Sequence, residues 1–268
     1  MSNLSLYCVT NKSSGFLEKL PMSLVGVGQN KFNDRYLKCD YKDNIYHKEQ
    51  YYSELTFHYW YWKNLLKYEK NKWVGFCQKR RFWVKSKVLN FKSNEKEIRD
   101  LLLTQIDKRF DDYDSFICLP IKISGAKKIK ILKRGWRNLI NDPSILFNEK
   151  KETISFHFDM HHGYKNLERA IKYLDYKDRE DFKKYVSERD YFNPHIMCIA
   201  KPEILNIWFK ALFEWLEKCE TEFGFENLRG YDTLRLYAFL AERYMSFWFN
   251  KYYKVLNWPW AFYEESKN

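Results

Sequence analysis

Short apolar runs, each closed by a polar or glycine-containing turn, alternate with stretches of helical spacing through residues 1–120. Leu6 to Thr10 (LYCVT) is followed by Asn11-Lys12-Ser13-Ser14-Gly15, the pattern of a buried strand with a loop at its carboxyl end. Leu24 to Gly28 (LVGVG) predicts a second strand, whose glycines allow close backbone approach. From Ser53 to Tyr68 the residues Leu55, Tyr59, Trp62, Leu65 and Leu66 fall on one helical stripe, and Trp73 to Cys77 predicts the next strand. A helix is expected over Glu95 to Lys108 and a strand over Asp114 to Pro120. Such alternation argues for an α/β fold with a largely parallel sheet and helices on both faces.

The pattern then changes. Residues 121–150 are basic and weakly patterned, which suggests a loop or hairpin insertion. Within them, Lys127 to Arg134 (KKIKILKR) fits an edge strand or surface hairpin as readily as a binding patch. Beyond Tyr164, helical spacing returns over Leu167–Leu174, Arg179–Glu188, Pro202–Cys219 and Leu234–Tyr253, with one more strand expected at Pro194 to Ile199. No repeat or flexible linker interrupts the chain. One domain is therefore expected: an α/β part over 1–120, an insertion over 121–163 and a helical part over 164–268.

Composition adds three points. Aromatic residues make up 19% of the 268 residues, so beyond a bulky core some rings are candidates to line a groove, as in sugar binding. The net charge of +12 calls for an anionic partner: nucleic acid, an acidic membrane surface or a phosphorylated substrate. Its lysines are spread along the chain, as on a solvated surface. The six cysteines form no CxxC pair, and four sit in apolar runs, which predicts reduced, buried thiols in a cytoplasmic protein. Neither a signal peptide nor a membrane-spanning run is expected, so any membrane contact would be peripheral.

Four constellations can carry chemistry. The strand at Gly75 leads into Gln78-Lys79-Arg80-Arg81. In α/β sheets ligands bind beyond the carboxyl ends of strands, and the arginine fork matches phosphate oxygens, so Arg80 and Arg81 are candidates for a diphosphate; a plain surface pair is the alternative. The segment FHFDMHHG offers Asp159 as a general base and His162 as an acid/base or phosphate donor. His161 and His162 are adjacent, so in a strand they would face opposite ways and would not share a metal. Asn193-Pro194-His195 is an acceptor contact or a strand-entry turn, and Glu242-Arg243 is a functional or a structural pair within an apolar helix. No GxGxxG, GxxxxGK[ST], HExxH, GxSxG or zinc-type cysteine spacing occurs. The acidic run Asp111, Asp112 and Asp114 precedes its strand, unlike the metal-binding Asp-x-Asp that follows a strand in most sugar-nucleotide transferases.

These segments resemble a family of bacterial and phage-borne glycosyltransferases of capsule and surface-polysaccharide gene sets, catalogued as domain of unknown function 4422. The resemblance rests on Asp43 to Asn64 (ELT…YWYWKN), Gly75 to Phe82, Tyr113 to Pro120, His161 to Leu167, Asn193 to Met197 with Trp208 to Glu217, and Phe239 to Tyr244. Departures from the family pattern fall at Lys79, Asn166 and Pro194-His195, the last in the expected acceptor region. The resemblance implies a single-domain Rossmann-like (GT-A-type) fold and a nucleotide-sugar donor, with a UDP-linked hexose such as galactofuranose as the first candidate. It implies that Thr10, Lys12, Gly26 and Gly28 approach the nucleotide, and that Asn44, Lys48, Lys63 and Gln78 join Arg80 and Arg81 at the diphosphate. Asp159, His162 and Glu242 are then expected on the acceptor side, with Trp60, Trp62, Asn193 and His195 as acceptor contacts. No metal or other cofactor is expected.

The reading is thus a cytoplasmic glycosyltransferase acting on a glycan or lipid-linked acceptor, with peripheral contact at the inner face of a membrane and no nucleic-acid partner. Two alternatives stand beside it: a basic, aromatic-rich nucleic-acid-binding protein, and a catalytically inert sugar- or membrane-binding module.

Overall fold

The computed structural model describes residues 3–69, 72–85 and 92–263. In chain order its first elements are β1 (Asn3–Thr10), β2 (Ser23–Gly26), β3 (Tyr36–Lys38), α1 (Glu49–Tyr52), α2 (Leu55–Asn64), β4 (Lys72–Gln78), β5 (Arg81–Trp83), β6 (Lys92–Ser93), α3 (Glu95–Leu101) and β7 (Ser115–Cys118). Next come β8 (Ile121–Lys122), α4 (Lys128–Arg134), α5 (Trp136–Asn141), α6 (Ile154–His162), α7 (Asn166–Ile171), α8 (Tyr176–Glu188) and β9 (Tyr191–Phe192). The last are β10 (Cys198–Ala200), α9 (Pro202–Phe223), α10 (Tyr231–Leu234), α11 (Leu236–Tyr252), β11 (Val255–Trp258) and β12 (Trp260–Tyr263).

Two compact units result. The first comprises Met1–Leu119, His195–Lys210 and Trp248–Asn268; the second comprises Pro120–Pro194 and Ala211–Phe247. The expected helical part over 164–268 therefore divides, because β10, β11 and β12 return to the sheet of the first unit.

That sheet runs β11-β7-β10-β4-β1-β2-β3; off this path β5 pairs with the central strand β4, β12 pairs with β5, and β6 with β12. The pairs β1–β2, β1–β4, β2–β3 and β7–β11 are parallel, whereas β10 is antiparallel to both β4 and β7. It is a mostly parallel α/β sheet, as the strand–helix alternation implies. Leu6, Cys8, Trp73, Trp83, Phe116 and Ile199 belong to one buried cluster on it. Gly75 is required here: a Cβ would meet Ile199 and Leu6 side-chain carbons at 2.9 Å. All six cysteines are buried and unbridged, and burial pushes the Cys198 thiol up to about 12.

The second unit is helical, apart from the β8–β9 pair. Residues 121–163, expected as a loop or hairpin, fold as α4, α5 and α6. The alternation of Ile129, Ile131 and Lys residues misleads because only Ile131 is buried, with Ile145, Phe156 and Met160. FHFDMHHG is likewise a helix rather than a strand, buried along two stripes: Ile154, Phe158 and His162 on one, Phe156 and Met160 on the other. A helix covered on two sides imitates a period of two. Phe182, Trp215, Tyr244 and Phe247 form a second packed group, with Trp215 and Tyr244 rings 4.9 Å apart.

Candidate functional site

In the first unit, parallel register brings three chain segments to one sheet edge. Thr10 lies opposite Gly26 and Val9 opposite Gln78, so β1, β2 and β4 end side by side. The chain leaves β4 through a tight hairpin. Lys79 and Arg80 form the turn, and Arg81 opens β5, paired with Gln78. The arginines thus sit in a hairpin rather than at the end of a single strand.

The turn is braced from several directions. The Lys79 N–H donates to Val9 O at 3.2 Å, and Lys79 Nζ donates to Asn11 Oδ1 at 2.7 Å. Arg81 Nη1 donates to Gln78 Oε1 at 3.1 Å. The guanidinium carbons of Arg80 and Arg81 lie 4.6 and 5.6 Å from the Phe262 ring centroid, and Arg80 Nε reaches Tyr263 O at 3.4 Å. β12 thus holds both arginines against one ring. A pair so oriented can present fixed donors to an anion without first ordering flexible side chains.

Beside this turn is a pocket of about 340 Å³ lined by Asn11, Gly28, Gln29, Asn30, Tyr46, His47, Glu49 and Gln50. Thr10 Oγ1 closes its own turn with Lys12, accepting from the Lys12 N–H at 3.1 Å. Gly28 has φ +81°, and a Cβ there would stand 3.0 Å from Glu49 Oε2. Its carbonyl accepts from the Tyr46 hydroxyl. Gly26 is held to glycine by Phe32, whose ring would lie 2.5 Å from a Cβ. Asn44 Oδ1 accepts from the Tyr46 N–H at 3.0 Å, and Lys48 approaches the Tyr52 ring. Tyr46, His47, Glu49 and Gln50 were absent from the sequence-based candidates. No local pattern marks them; only the sheet order brings their loop to Asn11.

Trp60, Trp62 and Lys63 belong instead to α2. Trp60 is buried against Phe57 and Tyr41, its indole N–H donating to Tyr41 O at 2.8 Å. Trp62 donates to Asn206 Oδ1 at 2.8 Å, and the Lys63 ammonium lies 3.8 Å above its ring. His195 has φ +68° and meets Trp260 edge-on at 4.5 Å. Asp111, Asp112 and Asp114 precede β7, which runs parallel to β4 because both are antiparallel to β10, so these carboxylates lie at the opposite edge from Thr10 and Gln78.

The second unit holds the remaining candidates. Asp159 accepts from Asn138 Nδ2 at 2.7 Å and from the Lys165 N–H at 2.9 Å, one bond on each oxygen; burial raises its pKa and both bonds oppose that rise. His162 is buried, stacked on Phe239 at 3.7 Å and bonded through Nδ1 to Asp232 O at 3.0 Å. Burial and then Arg243 bring its pKa down to about 3, so the ring is neutral at physiological pH. Glu242 pairs with Arg243, whose buried guanidinium lies 3.8 Å from the Phe192 ring centroid. His157 and His161, 4.6 Å apart, complete this cluster, His161 contacting Arg134 at 3.0 Å. Asn193 is buried, its N–H donating to Ser246 Oγ at 2.9 Å and its Oδ1 accepting the Ser246 hydroxyl at 2.8 Å. Among the described residues, no group of three His, Cys, Asp or Glu side chains is placed to hold a metal ion, and no helix is long and apolar enough to cross a membrane.

The family described as "Domain of unknown function (DUF4422)" matches residues 5–253. The chain belongs to this family. A solved structure described as the WbbM bifunctional glycosyltransferase in its apo form is similar with a TM-score of 0.74 and 20% identity over 98% of this chain. The DUF4422 chain spans 46% of that structure, so the similarity shows a shared fold with part of a larger protein. No curated protein matches the chain.

Proposed function

We propose that this DUF4422 protein is a glycosyltransferase that takes a sugar from a nucleotide-sugar donor. The carrying observation is the single sheet edge where the β1 and β2 ends, the Asn11–Gly28–Tyr46 pocket and the braced Arg80–Arg81 hairpin meet. Support comes also from the glycosyltransferase named in the structural neighbour. In this reading the pocket takes the nucleotide, and Arg80 and Arg81 take the charge that develops on the departing diphosphate. The bond from the anomeric carbon to the diphosphate breaks, a bond to the acceptor hydroxyl oxygen forms, and the hydroxyl proton passes to a general base; Asp159 and Glu242 remain candidates for that base on the sequence pattern alone. Lys12, Asn44, Lys48 and Lys63 remain donor-side candidates; His162, Trp62 and His195 remain acceptor-side candidates. A UDP-linked hexose such as galactofuranose is the first donor to try. A glycan or lipid-linked acceptor of surface-polysaccharide synthesis, reached from the cytoplasm, completes the proposal.

The test is a thermal-shift panel of UDP-, GDP-, CMP- and dTDP-sugars. A ligand that binds only the folded chain must raise its melting temperature, by an amount set by concentration over Kd. A rise with one nucleotide that is lost in Asn11→Ala supports the assignment. A flat panel beside a shift with single-stranded nucleic acid would replace it with the nucleic-acid reading that the +12 charge also suggests.

A further inference from the structure

The second unit carries a face that neither its histidine cluster nor the proposed chemistry uses. α4 and α5 meet at Gly135 and send only part of their apolar content inward. Ile131 is buried, whereas Ile129, Leu132, Trp136 and Ile140 are exposed. Ile129, Ile140 and the nearby Phe147 are 67, 70 and 81% exposed, values far from those of core side chains. The spacings Ile129–Leu132 and Trp136–Ile140 place each pair on neighbouring turns of its helix. Lys128 Nζ lies 5.3 Å from the Phe147 ring centroid, which brings Phe147 to the start of α4.

Along the α4–α5 sequence itself the charges have one sign; Asp142, Glu149 and Asp232 lie at its margin. From Lys127 to Asn141 there are six cations, Lys127, Lys128, Lys130, Lys133, Arg134 and Arg137, all exposed, and no carboxylate. Arg134 pairs with Asp232 at 3.1 Å, and Arg137 lies over Trp136 at 5.2 Å. Apolar side chains gathered at a surface mark a binding face. A mixed apolar and cationic face matches the boundary of an anionic bilayer, where aliphatic and aromatic groups enter the acyl margin and lysines meet headgroup phosphates. Single-stranded nucleic acid would use the cations and Trp136 but leave Ile129, Leu132 and Ile140 in water. The aliphatic side chains therefore favour lipid.

We propose that the α4–α5 face, together with Phe147, docks on an anionic lipid surface. This inference is independent of the transferase reading, because it is read without donor or acceptor. The experiment is co-sedimentation of the full chain with vesicles of phosphatidylcholine alone, or carrying about one-third phosphatidylglycerol. Binding is expected to the anionic vesicles, roughly tenfold weaker to the neutral ones, and to fall as salt screens the lysines. Ile140→Ser with Phe147→Ser should weaken it about tenfold. Lys127→Gln with Lys130→Gln and Lys133→Gln should abolish most of the salt dependence. All five side chains are exposed, so unchanged melting temperatures are expected and serve as the folding control. The proposal is overturned if the chain does not sediment with anionic vesicles, or if both variants bind like the parent. It is equally overturned if the lysines retain oligonucleotide but not vesicles, or if Ile140 and Phe147 instead mediate self-association without lipid.

Discussion

Lys79 Nζ donates a hydrogen bond to Asn11 Oδ1 at 2.7 Å, joining the hairpin turn before Arg81 to the loop that follows β1. Asn11 also accepts, through its carbonyl, from Asn30 Nδ2 in the loop beyond β2. Three loops from three adjacent strands are thus tied through one asparagine. Pocket and arginine pair are fixed with respect to each other by the sheet itself and by this link.

Arg80→Ala and Arg81→Ala are each expected to lower kcat for sugar transfer by about 10²–10³, the cost of removing one preorganised group at developing charge. Lys79→Met should act differently. It leaves both guanidiniums in place but frees the turn from Asn11, so a smaller loss is expected, shared between KM and kcat. Steady-state kinetics on purified variants with unchanged melting temperature checks both statements. Near-parental transfer in either arginine variant removes the pair from the mechanism.

Chelation tests the same assignment from another side. Under the proposed assignment of the two guanidiniums to the diphosphate, transfer is expected to continue in EDTA. The observation that would redirect the chemistry is an enzyme silenced by EDTA and restored by manganese. Attention would then pass to Asp111, Asp112 and Asp114, although the opposite sheet edge holds them and Asp114 Oδ2 already accepts from the Lys254 N–H at 2.9 Å.

How much of this was legible beforehand differs by element. LYCVT and WVGFC announce buried parallel strands because both faces are covered, and β1 and β4 contain those runs, each extending beyond its run. The positions of Arg80 and Arg81 followed from the same run. The hairpin did not, since Lys79-Arg80 carries no glycine, asparagine or proline to signal a turn. KIKILKR failed as a guide because its exposed isoleucine belongs to a surface patch rather than to the core. The helix expected over Glu95 to Lys108 starts at the Asn94–Glu97 capping box but stops early, at Leu101, because the chain there pairs with the segment after β5: Lys85 N–H donates to Leu101 O at 2.7 Å and Leu103 N–H to Trp83 O at 2.9 Å. The pocket residues Tyr46, His47, Glu49 and Gln50 depend on strand order, a non-local property that no window of sequence contains.

The histidines are expected to make the fold acid-sensitive. Burial lowers the pKa of His58 to about 3, His157 to about 2, His161 to about 4 and His162 to about 3, against an ordinary 6.5. Below 6.5 the unfolded chain takes up protons that the folded chain refuses, so stability rises with pH there. Full stability is held above about 6.5 and lost as pH falls toward the folded values, by up to ~1.4 kcal/mol per pH unit for each histidine. His58 is the cleanest probe: neither ring nitrogen has a hydrogen-bond partner, and its ring packs 4.4 Å from Phe76 and 5.9 Å from Phe209. His58→Leu should remove about one proton from the uptake on unfolding and flatten the acid slope accordingly. Because no bond to His58 is lost, its stability at neutral pH should change little. Denaturant midpoints measured between about pH 7 and 4.5 decide the matter. Equal slopes for parent and variant would mean that His58 is protonated, and therefore solvated, in the native fold.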